Sequence, residues 1–326
     1  MKEEHAEARL KSGTGLLQRA IELAERGRGT THPNPVVGAV VVRDGEVVGE
    51  GWHERKGGPH AEVVALEAAG EQARSATLYV TMEPCTHHGD TPPCTTAVLE
   101  AGVARVVAGS LDPNPKAGGG LEEVRGAGVD VELVDSFEAR AQNEAWRTWI
   151  TLGRPFVTYK AAMTLDGRLT VPGERWISGE ESRRLVHELR AAADAVAVGM
   201  GTVRADDPRL DARDVAVERQ PRRIAFGGGP LPAGSELELR TGAIADELAA
   251  LASEGVQSLL LEGGPTLATA FVDAELVDKL LVFVAPKLSG DGPGLLADTV
   301  SSRRLTRFEA RPVGEDVLLS AYVHQP

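Results

Sequence analysis

Apolar residues recur at helical spacing through "GLLQRAIELAERG", residues 15–27, which predicts a helix closed by Gly27. The pattern then changes. "PVVGAVVVRDGEVVGEGWH", residues 35–53, reads as a hairpin whose Val-rich strands flank Asp44-Gly45, a dipeptide suited to a two-residue turn. "PHAEVVALEAAGE" predicts a helix that begins near His60, just after Pro59. "ATLYVTM" is a compact β run leading into a loop, "CTTAVLEAG" a short helix, and "ARVVAGSLDPNP" a strand followed by turn residues. Strands and helices alternating at these lengths imply an α/β layer around a largely central sheet.

The pattern restarts near "AWRTWITLGRPFVTYK", where Gly153-Arg154-Pro155 is suited to a linker and "PFVTYKAAMT" opens a new strand. Further strands are expected at "AVAVGM", "RRIAF", "SLLLEGG" and "KLLVFVAP", with helices at "GEESRRLVHELRAAA" and "TLATAFVDAEL". The second half is therefore also α/β. A chain of 326 residues has material for about two domains, and the expected division is 1–152 and 153–326.

The composition, 42% apolar and 25% charged, is that of an ordinary globular protein. A net charge of −13 disfavours a nucleic-acid partner, while leaving small phosphorylated ligands open. No apolar run approaches the ~18 residues of a membrane span, and "MKEEHAEARLKSG" lacks the apolar core of a secretory signal. A cytoplasmic protein without membrane association is expected. In a reducing compartment, a disulfide between the two cysteines, Cys85 and Cys94, gives way to metal binding or catalysis.

Both cysteines lie in "EPCTHHGDTPPC", each directly after a proline. With His60 of "HAE" they supply one imidazole and two thiolates, and a catalytic zinc takes three such ligands and keeps one position open. Placement at or near helix N-termini would favour the thiolate forms. Glu62, at the start of the same helix as His60, could shuttle protons without ligating the metal. H-x-E followed by P-C-x-x-C is the arrangement of zinc nucleobase deaminases. Here eight residues separate the cysteines instead of two, and the insert brings His87 and His88 near the metal. H-x-E alone is a weak signal, and a cysteine pair alone could be a structural clip or two buried thiols. Solvation is the ordinary fate of a loop histidine, and His5, His32, His187 and His324 show no second partner. His53 is a partial exception, ending a strand close to the metal helix.

Together, "THPNPVVGAVVV", "GPHAEV", "EPCTHHGDTPPC" and "DPNP" resemble the deaminase half of the bifunctional deaminase–reductase family of riboflavin biosynthesis. The resemblance runs on through "GRPFVTYKAAMTLDGRL", "WISGEESRR", "ADDPRL" and "LEGGPTLATAF", nearly the whole chain. It implies an N-terminal cytidine-deaminase-like three-layer α/β/α domain and a C-terminal dihydrofolate-reductase-like α/β domain. The first would remove an amino group from a diaminopyrimidinone ribosylamino 5′-phosphate, and the second would use NADPH to convert the ribosyl group to ribityl. A homo-oligomer is expected. By the same resemblance His60, Cys85 and Cys94 match Zn2+ ligands and Glu62 the catalytic proton shuttle. Asn34 matches a substrate contact, and His87 of the insert is taken as a second substrate-binding candidate. In the second half Lys160, Glu174, Arg190, Leu210, Arg213 and Glu262 match substrate-binding positions. Met163, Trp176, Thr202 and Asp206 match cofactor positions, as does the segment Gly264, Pro265, Thr266, Leu267, Ala268, Thr269 and Ala270.

Read on its own, "SLLLEGGPTLATAF" is a strand, a glycine turn and a helix start, which suits phosphate equally well as an ordinary tight turn. "GMGTVR" has Arg204 where a third glycine would fall, so the Rossmann fingerprint is not met. Leu165-Asp166-Gly167 reads as a hairpin turn, and Arg190 as either a phosphate contact or a solvated helix residue. Hydride transfer demands positioning more than acid–base pairs, so side chains alone would not reveal a reductase. Three features depart from the family pattern. After "QPRRIAF" an aspartate and a longer segment are replaced by Gly227-Gly228-Gly229, Asp211 stands where threonine is usual, and "DPNPKAGGG" is one residue short. The first two leave open a deaminase whose second half binds ligand but is inactive or prefers NADH. A nucleic-acid-editing deaminase and a non-catalytic zinc scaffold are the other readings.

Overall fold

The computed structural model describes residues 13–89, 91–297 and 302–326; His5 lies outside them. Two compact units meet at Thr151/Leu152.

In the first unit five strands form one sheet, β1 (Gly38–Arg43), β2 (Glu46–Trp52), β3 (Thr77–Val80), β4 (Arg105–Ala108) and β5 (Asp130–Leu133), in the order β2-β1-β3-β4-β5. β1 runs antiparallel to β2 and β3, whereas β3, β4 and β5 are parallel. The hairpin turns at Asp44-Gly45 with φ of 51° and 82°, both positive as a tight two-residue turn demands. Alternate side chains of β1 point to opposite faces. Val40 and Val42 pack against α1 (Gly13–Ala24) through Leu16, Ala20 and Leu23. Ala39 and Val41 face α2 (Ala61–Ala69), α3 (Cys94–Ala101) and α4 (Gly120–Gly126). Cover on both faces explains why β1 reads as a continuous valine run. Two further helices, α5 (Phe137–Gln142) and α6 (Glu144–Leu152), close the unit.

The contact that places the first site is that of α2 on β2. A Cβ on Gly51 would stand 2.5 Å from the Ala65 nitrogen and 2.6 Å from the Ala61 oxygen. Glycine therefore lets the helix backbone settle directly on the strand, fixing where its first turn, with His60 and Glu62, emerges.

Among its described residues the second unit has eight strands, β6 (Phe156–Thr164), β7 (Ala195–Gly199), β8 (Arg222–Phe226), β9 (Glu238–Arg240), β10 (Ser258–Leu261), β11 (Lys279–Ala285), β12 (Thr306–Val313) and β13 (Asp316–Tyr322). Their order is β12-β13-β11-β6-β10-β7-β8-β9, parallel from β11 through β9, with β12 and β13 as an antiparallel hairpin at one edge. Four helices join them: α7 (Glu180–Ala192), α8 (Met200–Asp206), α9 (Ile244–Ser253) and α10 (Pro265–Asp273). The larger core packs Tyr159, Ile224, Leu259 and Leu261 against Leu248, Leu251 and Phe271 of α9 and α10. Buried charge is paired. Asp278, 2% exposed, takes Nη1 and Nη2 of Arg154 at 2.7 Å each, and Asp316 accepts from the Gly179 amide and the Ser182 hydroxyl at the start of α7.

The α/β expectation holds for both halves. The apolar pattern predicts no strand at β5, β9, β12 or β13. β9 is three residues long, and two of them, Glu238 and Arg240, are charged. β12 is exposed along nearly its whole length, so it carries no apolar run to read.

Candidate active sites

His60 is the residue before the first turn of α2, Cys94 is the first residue of α3, and Cys85 lies in the loop that leaves β3. The fold brings all three together. His60 Nδ1 is 3.1 Å from Cys94 Sγ and 3.5 Å from Cys85 Sγ, and the three ligand atoms lie within 4.8 Å of one another. In a tetrahedron with ordinary zinc bond lengths, nitrogen–sulfur edges measure about 3.6 Å and sulfur–sulfur edges about 3.8 Å. The donor set and its spacing fit zinc. The two thiols also share a proton: a hydrogen bond from Cys94 holds Cys85 down, and the same bond pushes Cys94 up. The Cys94 amide, at the head of α3, points at Cys85 Sγ at 3.5 Å and further favours an anion there.

Glu62 sits in the first turn of α2, 3% exposed. Burial raises its carboxyl to about 7, against the pull of His60. It is thus poised to hold or release a proton near neutrality.

His60 and Cys85 open onto a cavity of about 380 Å³, with Cys94 buried behind them. Glu62, Asn34, His53 and His87 line it, as do Trp146 and Trp149 of α6. Nδ1 of His87 is buried and has no partner among the described residues, whereas His88 is exposed and outside the cavity. Nδ1 of His53 donates to the Pro59 carbonyl at 3.0 Å, which leaves Nε2 to accept from the Asn34 amide at 3.5 Å.

Two acids here were not singled out from sequence. Glu83, 5% exposed, accepts from the amides of Asp112 (2.9 Å) and Leu121 (3.3 Å), tying the cysteine loop to the segment between β4 and α4. Asp112 lines the cavity, and burial raises its carboxyl to about 6. A glutamate just past an apolar, buried strand was the available signal for Glu83, since a buried carboxylate there must find backbone donors.

The second unit has its own cleft, about 1790 Å³, at the carboxyl ends of the parallel strands. Lys160 on β6, Arg190 on α7 and Glu262 after β10 meet there. Arg190 donates Nε and Nη2 to the two Glu262 oxygens at 2.6 and 3.0 Å, and Lys160 Nζ is 3.5 Å from Oε2. Glu174, Trp176, Thr202, Asp206 and Arg213 also line the cleft. Arg213 is already engaged by the unusual Asp211, Nη1 to Oδ1 at 2.7 Å.

The matched segment 264–270 does not face the cleft as a whole. Gly264 to Leu267 and Ala270 line it, while Ala268 is buried in the core and Thr269 Oγ1 accepts from the Ala297 amide. Helical periodicity turns those two inward. Leu210 is likewise a core side chain, on backbone with φ of 54°, so only its main chain is available to a ligand. Met163 is half-buried and not part of the lining. Across the cleft, the glycine turn before α10 faces α8: a Cβ on Gly264 would lie 3.7 Å from Thr202 Oγ1, so the missing side chain leaves a cradle between two βα turns. The cradle and the adjoining cations fit a phosphate-bearing cofactor.

Residues 11–110 match the family model for the cytidine and deoxycytidylate deaminase zinc-binding region, and residues 155–228 and 235–319 match that for the RibD C-terminal domain. The riboflavin biosynthesis protein RibD of Aquifex aeolicus is 42% identical over 92% of this chain and 95% of its own. That of Escherichia coli is 41% identical over 93% and 97%. Among solved structures, Acinetobacter baumannii RibD superposes with a TM-score of 0.82 at 34% identity, covering 94% of this chain and 97% of that one. A Thermotoga maritima diaminohydroxyphosphoribosylaminopyrimidine deaminase/5-amino-6-(5-phosphoribosylamino)uracil reductase gives 0.80 at 34%, covering 97% and 99%. With both halves matched in order and at this identity, the chain belongs to the RibD family of riboflavin biosynthesis proteins.

Proposed function

We propose that the chain carries out two successive steps of riboflavin biosynthesis. Residues 1–152 hydrolytically deaminate a diaminopyrimidinone ribosylamino 5′-phosphate, and residues 153–326 reduce its ribosyl group to ribityl with NADPH. The observation that carries the reading is the convergence of His60, Cys85 and Cys94 beside the buried Glu62, in a chain whose other half matches the RibD reductase domain.

Zinc held by His60, Cys85 and Cys94 would supply Lewis acidity, making water acidic enough to ionise near neutral pH. Glu62 carries one proton of the attacking water to the ring nitrogen and the second to the amino group, which leaves as ammonia. Its raised pKa suits both directions of that transfer. Asn34, oriented through His53, and the unpartnered Nδ1 of His87 offer hydrogen bonds to the pyrimidine and its substituents.

In the second cleft NADPH would supply the hydride. The backbone amides of Gly264 and Thr266 and the Thr266 hydroxyl are available to its phosphates. Lys160, Arg190 and Glu262 offer cationic donors and a carboxylate to the sugar phosphate. This intact charged group speaks against an inactive second half. Acidic charge argues against nucleic acid, and thiols used as metal ligands suit a reducing cytoplasm. No helix among the described residues is long and apolar enough to cross a membrane. The exposed edge strand β12, with Phe308 63% exposed, favours a homo-oligomer.

Mass spectrometry of products formed from the diaminopyrimidinone ribosylamino phosphate, with NADPH present from the start, tests the assignment. A deaminated and reduced product is expected. A reaction that halts at the deaminated species with either nicotinamide cofactor would remove the reductase assignment.

A further inference from the structure

Most arginines of the second unit are neutralised in place: Arg190 by Glu262, Arg213 by Asp211, Arg222 and Arg240 by Glu238 and Glu254. Three arginines that line the cleft, Arg175, Arg183 and Arg204, have no ion pair among the described residues; Arg175 and Arg183 lie over the Trp176 ring, whereas no ring holds Arg204, on α8. It lines the cleft, is exposed, and among the described residues has no carboxylate partner. Its bond to protein is from Nη2 to the Gly228 carbonyl, 2.8 Å, in the loop that leaves β8. A guanidinium has five N–H donors, so most remain free.

That loop is Gly227-Gly228-Gly229, the segment replacing the longer one usual in the family. Its shape is matched to the arginine. Gly227 and Gly229 have φ of 120° and 109°, and a Cβ on Gly229 would stand 2.9 Å from Arg204 Nη2. A Cβ on Gly228 would meet nothing within 4 Å, so its backbone is open to the cleft. Its amide donates to no protein group among the described residues.

Strand order supplies the location. β10, β7 and β8 are neighbours, and α8 emerges from β7 between the turn at Gly264 and the loop at Gly228. A dinucleotide with its pyrophosphate at Gly264–Thr266 and its nicotinamide toward Lys160 must send its adenosine end toward β8. That is two strand spacings, or ~10 Å, which is the scale of a ribose and its phosphate.

We infer that Arg204, together with the open Gly228 amide, is the specificity-determining contact for the 2′-phosphate that distinguishes NADPH from NADH. The inference rests on the cofactor reading above. A phosphate here gains a charge-assisted, planar donor pair, whereas a ribose hydroxyl gains little. The shortened loop thus exchanges side-chain donors after β8 for an arginine reaching in from α8.

The test is calorimetric titration of the full-length protein with 2′,5′-ADP and with 5′-AMP, and then with NADPH and NADH. The wild type is compared with Arg204→Leu, a substitution that keeps helix propensity, and with Arg204→Lys. The wild type is expected to favour the 2′-phosphorylated ligand of each pair by about ten- to hundredfold. Arg204→Leu brings that ratio near one by weakening 2′,5′-ADP and NADPH alone, and Arg204→Lys keeps part of it. A ratio unchanged in Arg204→Leu, with an unchanged melting profile, overturns the inference and leaves the cofactor reading standing. Failure of all four ligands to bind the wild type overturns both.

Discussion

The guanidinium of Arg190 grips both carboxylate oxygens of Glu262, at 2.6 and 3.0 Å, in the floor of the second cleft. Burial by itself would raise the Glu262 carboxyl, but Lys160 and Arg190 outweigh it and hold the group below its ordinary value of 4.5. A depressed folded-state pKa stabilises the fold above the unfolded value, and that contribution is lost as pH falls through the folded one. Glu262→Gln should therefore cost about 3 kcal/mol at pH 7, where two half-buried cations lose their counterion. The difference from wild type should shrink below pH 4.5. Urea unfolding of both proteins across that range checks it, and a pH-independent difference would contradict the pairing.

Glu62 is the proton carrier of the first site, whereas the metal is held by other residues. Glu62→Gln should retain stoichiometric zinc by atomic absorption while deamination falls about 10²- to 10⁴-fold. Reduction of already deaminated substrate should be unaffected. Loss of zinc from this variant would mean that the carboxylate is a ligand.

Glu83 holds the cysteine loop through two backbone amides and touches neither ligand directly. Glu83→Ala leaves the buried Leu121 amide and the half-buried Asp112 amide without an acceptor and should destabilise the first unit by about 1–3 kcal/mol. Zinc should be released to a chelator faster than from wild type, which a colorimetric competition measures. Glu83→Gln, keeping one acceptor, should lie between the two.

Gly51 carries no side chain because α2 occupies the space. Gly51→Ala should lower stability by about 1–3 kcal/mol through overpacking. It should also displace the first turn of α2 and with it both His60 and Glu62. Thermal melting and zinc content measured together distinguish this from a local effect: a stable variant with normal zinc would show that the helix can shift without consequence.

The sequence by itself determined the chemistry of the first site and the broad architecture. Alternating apolar periods gave two α/β halves, because a buried strand or an amphipathic helix prints its period directly in the chain. Cys85 and Cys94, rare and closely spaced, pointed with His60 and Glu62 to one kind of metal site, since few residue types bind zinc and their spacing is constrained. Exposed or charged elements such as β12 and β9 left no such trace. The tertiary structure alone decided which neighbours in sequence become neighbours in space. It put His87 in the cavity and His88 in solvent, turned Ala268 and Thr269 into the core, and used Glu83 to tie down the loop. It also paired Asp211 with Arg213 and set Arg204 against a glycine loop more than twenty residues away. Such relations depend on the direction of a side chain from its backbone and on the packing of distant segments, and a one-dimensional pattern records neither.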